Sequence, residues 1–160
     1  MKWQIKRKAF SLLTAIFVIV LMATVAILVL NISGKLVKET TAQYQNEQAA
    51  LYANSYTEYA ILAVTGNDRS VNCLSTINST IGTSPTTGNG YRIRTHIAYI
   101  GTAAEVGSCA AIRKLSEAVI TAKTPLTIIV DAYVDYKEPD HHDSANAPWI
   151  TYHKRTVQKI

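Results

Sequence analysis

Six consecutive residues, Glu138-Pro139-Asp140-His141-His142-Asp143, hold the densest ligand chemistry in the chain. Carboxylates at 138, 140 and 143 could offer oxygen ligands to calcium. Adjacent histidines on an extended strand point to opposite faces, so His141 and His142 could not both turn to one ion. No glycine marks a tight calcium loop, and Pro139 and Pro148 suit a solvated hairpin tip. No metal ligand is assigned, and calcium at this loop stays an open alternative. Asp131, Asp135 and His153 form a second set that folding could bring together. No G-x-S-x-G, H-E-x-x-H or Walker A run occurs. The sequence therefore assigns no catalytic residue and no cofactor, and the chain reads as non-enzymatic. Asn78-Ser79-Thr80 matches a glycosylation acceptor.

The distribution of charge says more than its total. The chain has 160 residues, 48% hydrophobic and 17% charged, with a formal net charge of +5. That length suits one domain with an appendage, and the apolar content excludes a disordered chain. Four basic residues, Lys2, Lys6, Arg7 and Lys8, crowd the N-terminus; Arg92, Arg94, Lys154 and Arg155 are interspersed with acids. No basic stripe with interleaved aromatics appears, which argues against nucleic acid as a partner.

From Ala9 to Gly34 there is no charged residue. Phe10 to Leu30 would form a helix about 32 Å long, enough for the hydrocarbon core of a bilayer. Ser11, Thr14 and Thr24 are its polar residues, and hydroxyls can bond back to their own helix. A cleaved secretory signal would have a shorter apolar stretch and a better cleavage site than Asn31-Ile32-Ser33-Gly34. A buried globular helix would leave the basic head unexplained. A single membrane anchor fits best, with the cations cytoplasmic and the remainder of the chain outside.

Lys6-Arg7-Lys8-Ala9-Phe10-Ser11-Leu12-Leu13-Thr14 resembles the prepilin leader of type IV pilins and type II secretion pseudopilins: a short basic peptide, a small residue, then Phe and a long apolar helix. The resemblance implies that a prepilin peptidase cuts between Ala9 and Phe10 and that the new amino group of Phe10 is methylated. It also implies a pilin-like α+β fold, with a bacterial inner-membrane anchor and a periplasmic head. The implied partners are other pilin or pseudopilin subunits, the prepilin peptidase, the inner-membrane assembly platform and membrane lipid. Two positions depart from the family pattern. Ala9 stands where Gly is usual, and Thr14 stands where the family usually has a glutamate. An unpaired buried ion costs several kcal/mol, so that glutamate needs a partner amine; Thr14 can accept a hydrogen bond but cannot neutralise an amine. The chain thus resembles a minor subunit, such as a tip-type pseudopilin, more than a repeating major pilin.

The elements that must carry these residues follow from periodicity. Phe10 to Val64 holds no proline and one glycine, Gly34, which predicts a helix of about 55 residues and about 82 Å. Ala49, Tyr52, Ala53, Tyr56, Ala60 and Ala63 recur at steps of three or four and share one face. Tyr44, Tyr52, Tyr56 and Tyr59 are expected to pack against the head. Gly66 is the expected stop. In the head, Tyr91 to Tyr99 and Leu126 to Val134 alternate as half-buried strands, with Trp149 to Val157 a weaker third run. Gly82 to Gly90 reads as a loop, and Ala110 to Ala122 as a short helix with Ile112, Leu115 and Val119 on one side. His96 and His153 read as surface residues.

Cys73 and Cys109 are the only cysteines. There is no C-x-x-C, and a zinc site needs about four ligands. Outside the inner membrane an even pair reads as one disulfide, with two unpaired buried thiols as the alternative. Such a bridge would close about 37 residues and contribute about 3.8 kcal/mol in the chain-entropy model.

The organisation expected is a leader over 1–9, a transmembrane helix segment over 10–34, a periplasmic half-helix over 35–64 and an α+β head over 65–160. The sheet is expected to be small and antiparallel, packed on the second half of the helix. The function expected is that of a minor pilin or pseudopilin in a type IV pilus or a type II secretion pseudopilus. The alternative is a single-pass anchored periplasmic binding module that never enters a filament.

Overall fold

The computed structural model describes residues 4–119, 126–138, 141, 143 and 145–160, with the backbone alone along 4–11. Helix α1 runs Gln4–Gly66. Among the described residues it is the one helix long and apolar enough to cross a membrane. It ends where expected: beyond Gly66 the chain turns, and Arg69 Nη1 donates to the carbonyl of Val64 at 3.0 Å, satisfying an orphan group of the last turn.

The chain divides into two units, residues 1–43 and 44–160. In the first, every large apolar side chain from Leu12 to Val37 is exposed. Water does not ordinarily face so continuous an apolar surface, so this one calls for lipid or neighbouring chains to cover it. The hydroxyl of Thr24 donates to Leu21 O at 2.8 Å, so that polar group is satisfied within the helix itself.

The second unit is an α+β arrangement: the last turns of α1 lie on one face of a small, mainly antiparallel sheet. Its strands are β1 (Thr76–Ser84), β2 (Asn89–Gly101), β3 (Lys114–Ser116), β4 (Leu126–Lys137) and β5 (Trp149–Lys159), with a short helix α2 (Ala103–Val106) after β2. The order is β1-β2-β4-β5, and β3 pairs in parallel with β2. The alternation seen in the sequence fixes which side chains face the helix. Ile93, Thr95, Ile97 and Tyr99 of β2 are buried, as are Leu126, Ile128, Val130, Ala132 and Val134 of β4. They meet Ala49, Ala53, Ala60 and Val64 of α1 in two apolar clusters. Small helix residues let the backbone lie close to the sheet, and each large buried aliphatic contributes about 1.5–3 kcal/mol. Thr95 Oγ1 is buried without a hydrogen-bond partner among the described residues.

Cys73 and Cys109 form a disulfide with Cα atoms 4.8 Å apart. The same end of the unit is further tied by Tyr99, whose hydroxyl donates to Leu74 O at 2.6 Å. Arg69 pairs with Glu105 of α2 at 2.8 Å.

Three expectations need correction. Gly82 to Gly90 is mostly strand: β1 runs to Ser84, a 3-10 turn covers Pro85–Thr87, and β2 begins at Asn89. Gly82 (φ +96°) and Gly90 (φ +139°) make this possible; a Cβ on Gly90 would lie 2.1 Å from Ile81 O. Ala110 to Ala122 is not a helix over its described part. A turn leads into β3, Tyr99 N donates to Arg113 O at 2.8 Å, and Ile112 and Leu115 are exposed; residues 120–122 lie outside the described residues. Backbone pairing with the edge of β2 overrides the helical spacing of those apolar residues. Tyr44 and Tyr59 are exposed rather than packed, while Tyr52 and Tyr56 are half-buried. Strand β1 and helix α2 were not expected at all.

Candidate functional site

The sheet face turned away from α1 carries a row of charged side chains with His96, Tyr133 and His153 among them. Register alone brings them together: Arg92 lies opposite Asp135, Arg94 opposite Tyr133, and His96 opposite Asp131. On the next strand Thr151 faces Asp135, His153 faces Tyr133, and Arg155 faces Asp131.

Asp135 is the centre of this face. It is 1% exposed, although its neighbours reach solvent. Arg92 Nε donates to its Oδ2 at 3.0 Å, Arg94 Nε to the same oxygen at 3.0 Å, Arg94 Nη2 to Oδ1 at 3.1 Å, and the Thr151 hydroxyl to Oδ1 at 2.7 Å. Burial alone would raise the carboxyl's pKa, but hydrogen bonds from Arg94, Thr151 and Arg92 outweigh it and hold the group below its ordinary value. A buried carboxylate with this many donors is a structural anion rather than a proton carrier. The guanidinium of Arg92 also lies over the Trp149 ring at 4.4 Å, with Lys137 Nζ 5.1 Å from the same ring.

Asp131 and His153 do meet. His153 Nε2 lies 2.8 Å from Asp131 Oδ1, and Arg155 bonds the same carboxylate at 2.7 and 2.9 Å. The His153 ring stacks on Tyr133 at 4.4 Å. The Arg155 hydrogen bond holds the Asp131 carboxyl below its usual range, against the opposing effect of burial. Asp135 keeps a separate set of partners, so the three residues do not form one cluster. His96 is a half-buried side chain with Nδ1 2.8 Å from Arg113 Nη2. Burial, then the Arg113 and Arg94 charges, push its pKa below the ordinary value.

Of the other sequence-derived positions, Thr14 lies on the exposed apolar stretch of α1. Ala9 and Phe10 fall within the backbone of α1, and their side chains lie outside the described residues. In the loop after β4, Pro139, Asp140 and His142 likewise lie outside them; Asp143 accepts from Asn146 Nδ2 at 2.7 Å. Among the described residues, no three His, Cys, Asp or Glu side chains converge as a metal site. Asn78, Ser79 and Thr80 lie on β1.

Sequence reasoning passed over the Asp135 cluster because its members are 41 and 43 residues apart along the chain. The one available signal was the parity of the strands, which puts Arg92, Arg94, Asp131 and Asp135 all at non-core positions. No family model, curated protein or solved structure matches the chain.

Proposed function

We propose that the chain is a minor pilin or pseudopilin, a structural subunit built into a filament from the inner membrane. The observation that carries this reading is the run from Lys6 to Thr14 at the start of a proline-free helix that continues to Gly66. Support comes also from the exposed apolar surface between Leu12 and Val37 and from the sheet that covers the helix's last turns.

In this reading the basic residues stay cytoplasmic and the head stands in the periplasm. Cleavage after Ala9 removes the cations that hold the helix at the inner membrane surface, leaving a methylated Phe10 at its start. The helix then leaves the bilayer sideways to pack against other subunits. Lipid tails are as apolar as the helix, so packing rather than water exclusion drives that step, and Ala15, Ala23 and Ala26 permit close approach. Thr14 supplies no charge to neutralise a neighbour's terminal amine, which fits a subunit present in few copies.

The test is co-expression with a prepilin peptidase, with N-terminal sequencing of the product. The wild-type chain is expected to begin at Phe10, and Ala9→Leu to keep its full N-terminus. A wild-type chain that keeps residues 1–9 beside an active peptidase would instead support the retained anchor with a binding head.

A further inference from the structure

The sheet face away from α1 presents donors and hides its acceptors. Three arginines stand on successive rungs of β4: Arg92 opposite Asp135, Arg94 opposite Tyr133 and, from β5, Arg155 opposite Asp131. Each spends its Nε and Nη2 edge on a β4 carboxylate, Arg92 and Arg94 on Asp135 and Arg155 on Asp131. A guanidinium carries five N–H donors, and among the described residues the Nη1 group of each of these arginines has no partner. The carboxylates are close to saturated: Asp135 accepts four hydrogen bonds and Asp131 three. Asp135 and Asp131 are 1% and 14% exposed, against 43%, 41% and 62% for Arg92, Arg94 and Arg155.

The balance of charge agrees. Arg113 reaches the same face through His96, and Lys159 lies on it opposite Thr127. Asp131 and Asp135 are its only acids among the described strand residues. The guanidiniums are also held in place, Arg92 over Trp149 and Arg94 over Tyr133. An arginine already fixed by a carboxylate and a ring loses little further freedom on binding an anion. Both rings are taken: Tyr133 by Arg94 and the stacked His153, Trp149 by Arg92 and Lys137. Nucleic acid would therefore find no open ring on which to stack a base.

We propose that this face docks an acidic segment of a partner protein, laid in extended form along β4, with carboxylates at alternate positions meeting the Nη1 groups of Arg92, Arg94 and Arg155. Rungs on one face of a strand repeat at about 6.8 Å, two residues of about 3.4 Å each, and alternate side chains of an extended segment repeat at the same step. Each contact adds a charge-assisted hydrogen bond to a donor group that has none. A second copy offers no such match at its sheet edges, because neither β1 nor β5 holds an acidic residue. The inference uses the head alone and does not rest on the filament reading.

The experiment uses the full chain in detergent and a fluorescent nine-residue peptide of alternating threonine and glutamate, with its threonine–lysine counterpart as control. The glutamate peptide is expected to bind, more weakly as salt rises, and the lysine peptide not to. Arg155→Gln should weaken binding about tenfold, and it leaves Asp131 its bond from His153. Lys154→Gln removes the same charge one residue away, where Nζ bonds Asn54 of α1, and should leave binding unchanged. Absence of binding by the glutamate peptide, or equal binding of the two peptides to the wild-type chain, would overturn the proposal. So would unchanged binding in Arg155→Gln, or an equal loss in Lys154→Gln. Tighter binding of a nine-nucleotide single-stranded DNA than of the glutamate peptide would also overturn it, by making a phosphate backbone the occupant.

Discussion

Arg94 grips Asp135 with two prongs, Nε to Oδ2 at 3.0 Å and Nη2 to Oδ1 at 3.1 Å, across the β2–β4 ladder and on the face that the helix does not cover. The pair is buried at the carboxylate and half-open at the guanidinium. The carboxylate thereby fixes two arginines and the indole beneath one of them in a single layer. This layer stiffens a face whose residues would otherwise be independent surface side chains.

Asp135→Asn should therefore destabilise the head by about 2–3 kcal/mol, because it leaves two guanidinium groups sharing no carboxylate. Urea unfolding of the full chain in detergent, followed by near-ultraviolet circular dichroism, measures it. A midpoint equal to wild type would show that the layer contributes no net stability.

Stability should fall with acid in two stages. The pKa of His96 is lower in the folded state than the ordinary 6.5, so the unfolded chain binds more protons as pH drops below that value. Its contribution is full above pH 6.5 and is lost as pH falls through the lower folded value. Asp131 and Asp135, also depressed, contribute above their ordinary 3.8 and lose that contribution in stronger acid. Thermal melts across the acid range should show the first stage in wild type and not in His96→Gln. An identical acid profile in both proteins would remove His96 from the account.

Gly90→Ala should cost about 2–3 kcal/mol, since its backbone lies at φ +139° and a Cβ would meet Ile81 O at 2.1 Å. Gly66→Ala, where a Cβ meets nothing within 4 Å, should change stability by no more than about 0.5 kcal/mol. Equal effects of the two substitutions would contradict the tight β1–β2 hairpin.

Cys73→Ser should lower the melting point of the oxidised protein and leave the reduced protein unchanged, the loss being about 3.8 kcal/mol in the chain-entropy model. The bridge joins the segment after α1 to the segment after α2. Equal melting of oxidised mutant and wild type would refute it as a stabilising bond.

What the sequence made legible was what periodicity encodes. The helix and its stop at Gly66, strands β2 and β4, and the pairing of two lone cysteines all announce themselves locally. Strand β1 does not, because Thr76-Ile77-Asn78-Ser79 onward holds only two large apolar residues and gains its order from β2. The run from Ile112 to Val119 misleads in the opposite sense. Its helical spacing is real, yet Tyr99 takes its backbone as an edge partner. The Asp135 layer was invisible because a charge's partner depends on strand register, which no local signal reveals. His96 and His153 sit on alternating runs that read as plain surface, while their contacts to Arg113 and Asp131 come from distant strands and loops.

The most direct test of the filament reading is the intact mass of the chain purified after co-expression with a prepilin peptidase. The account predicts loss of residues 1–9 and gain of one methyl group. A mass that retains residues 1–9 would contradict it.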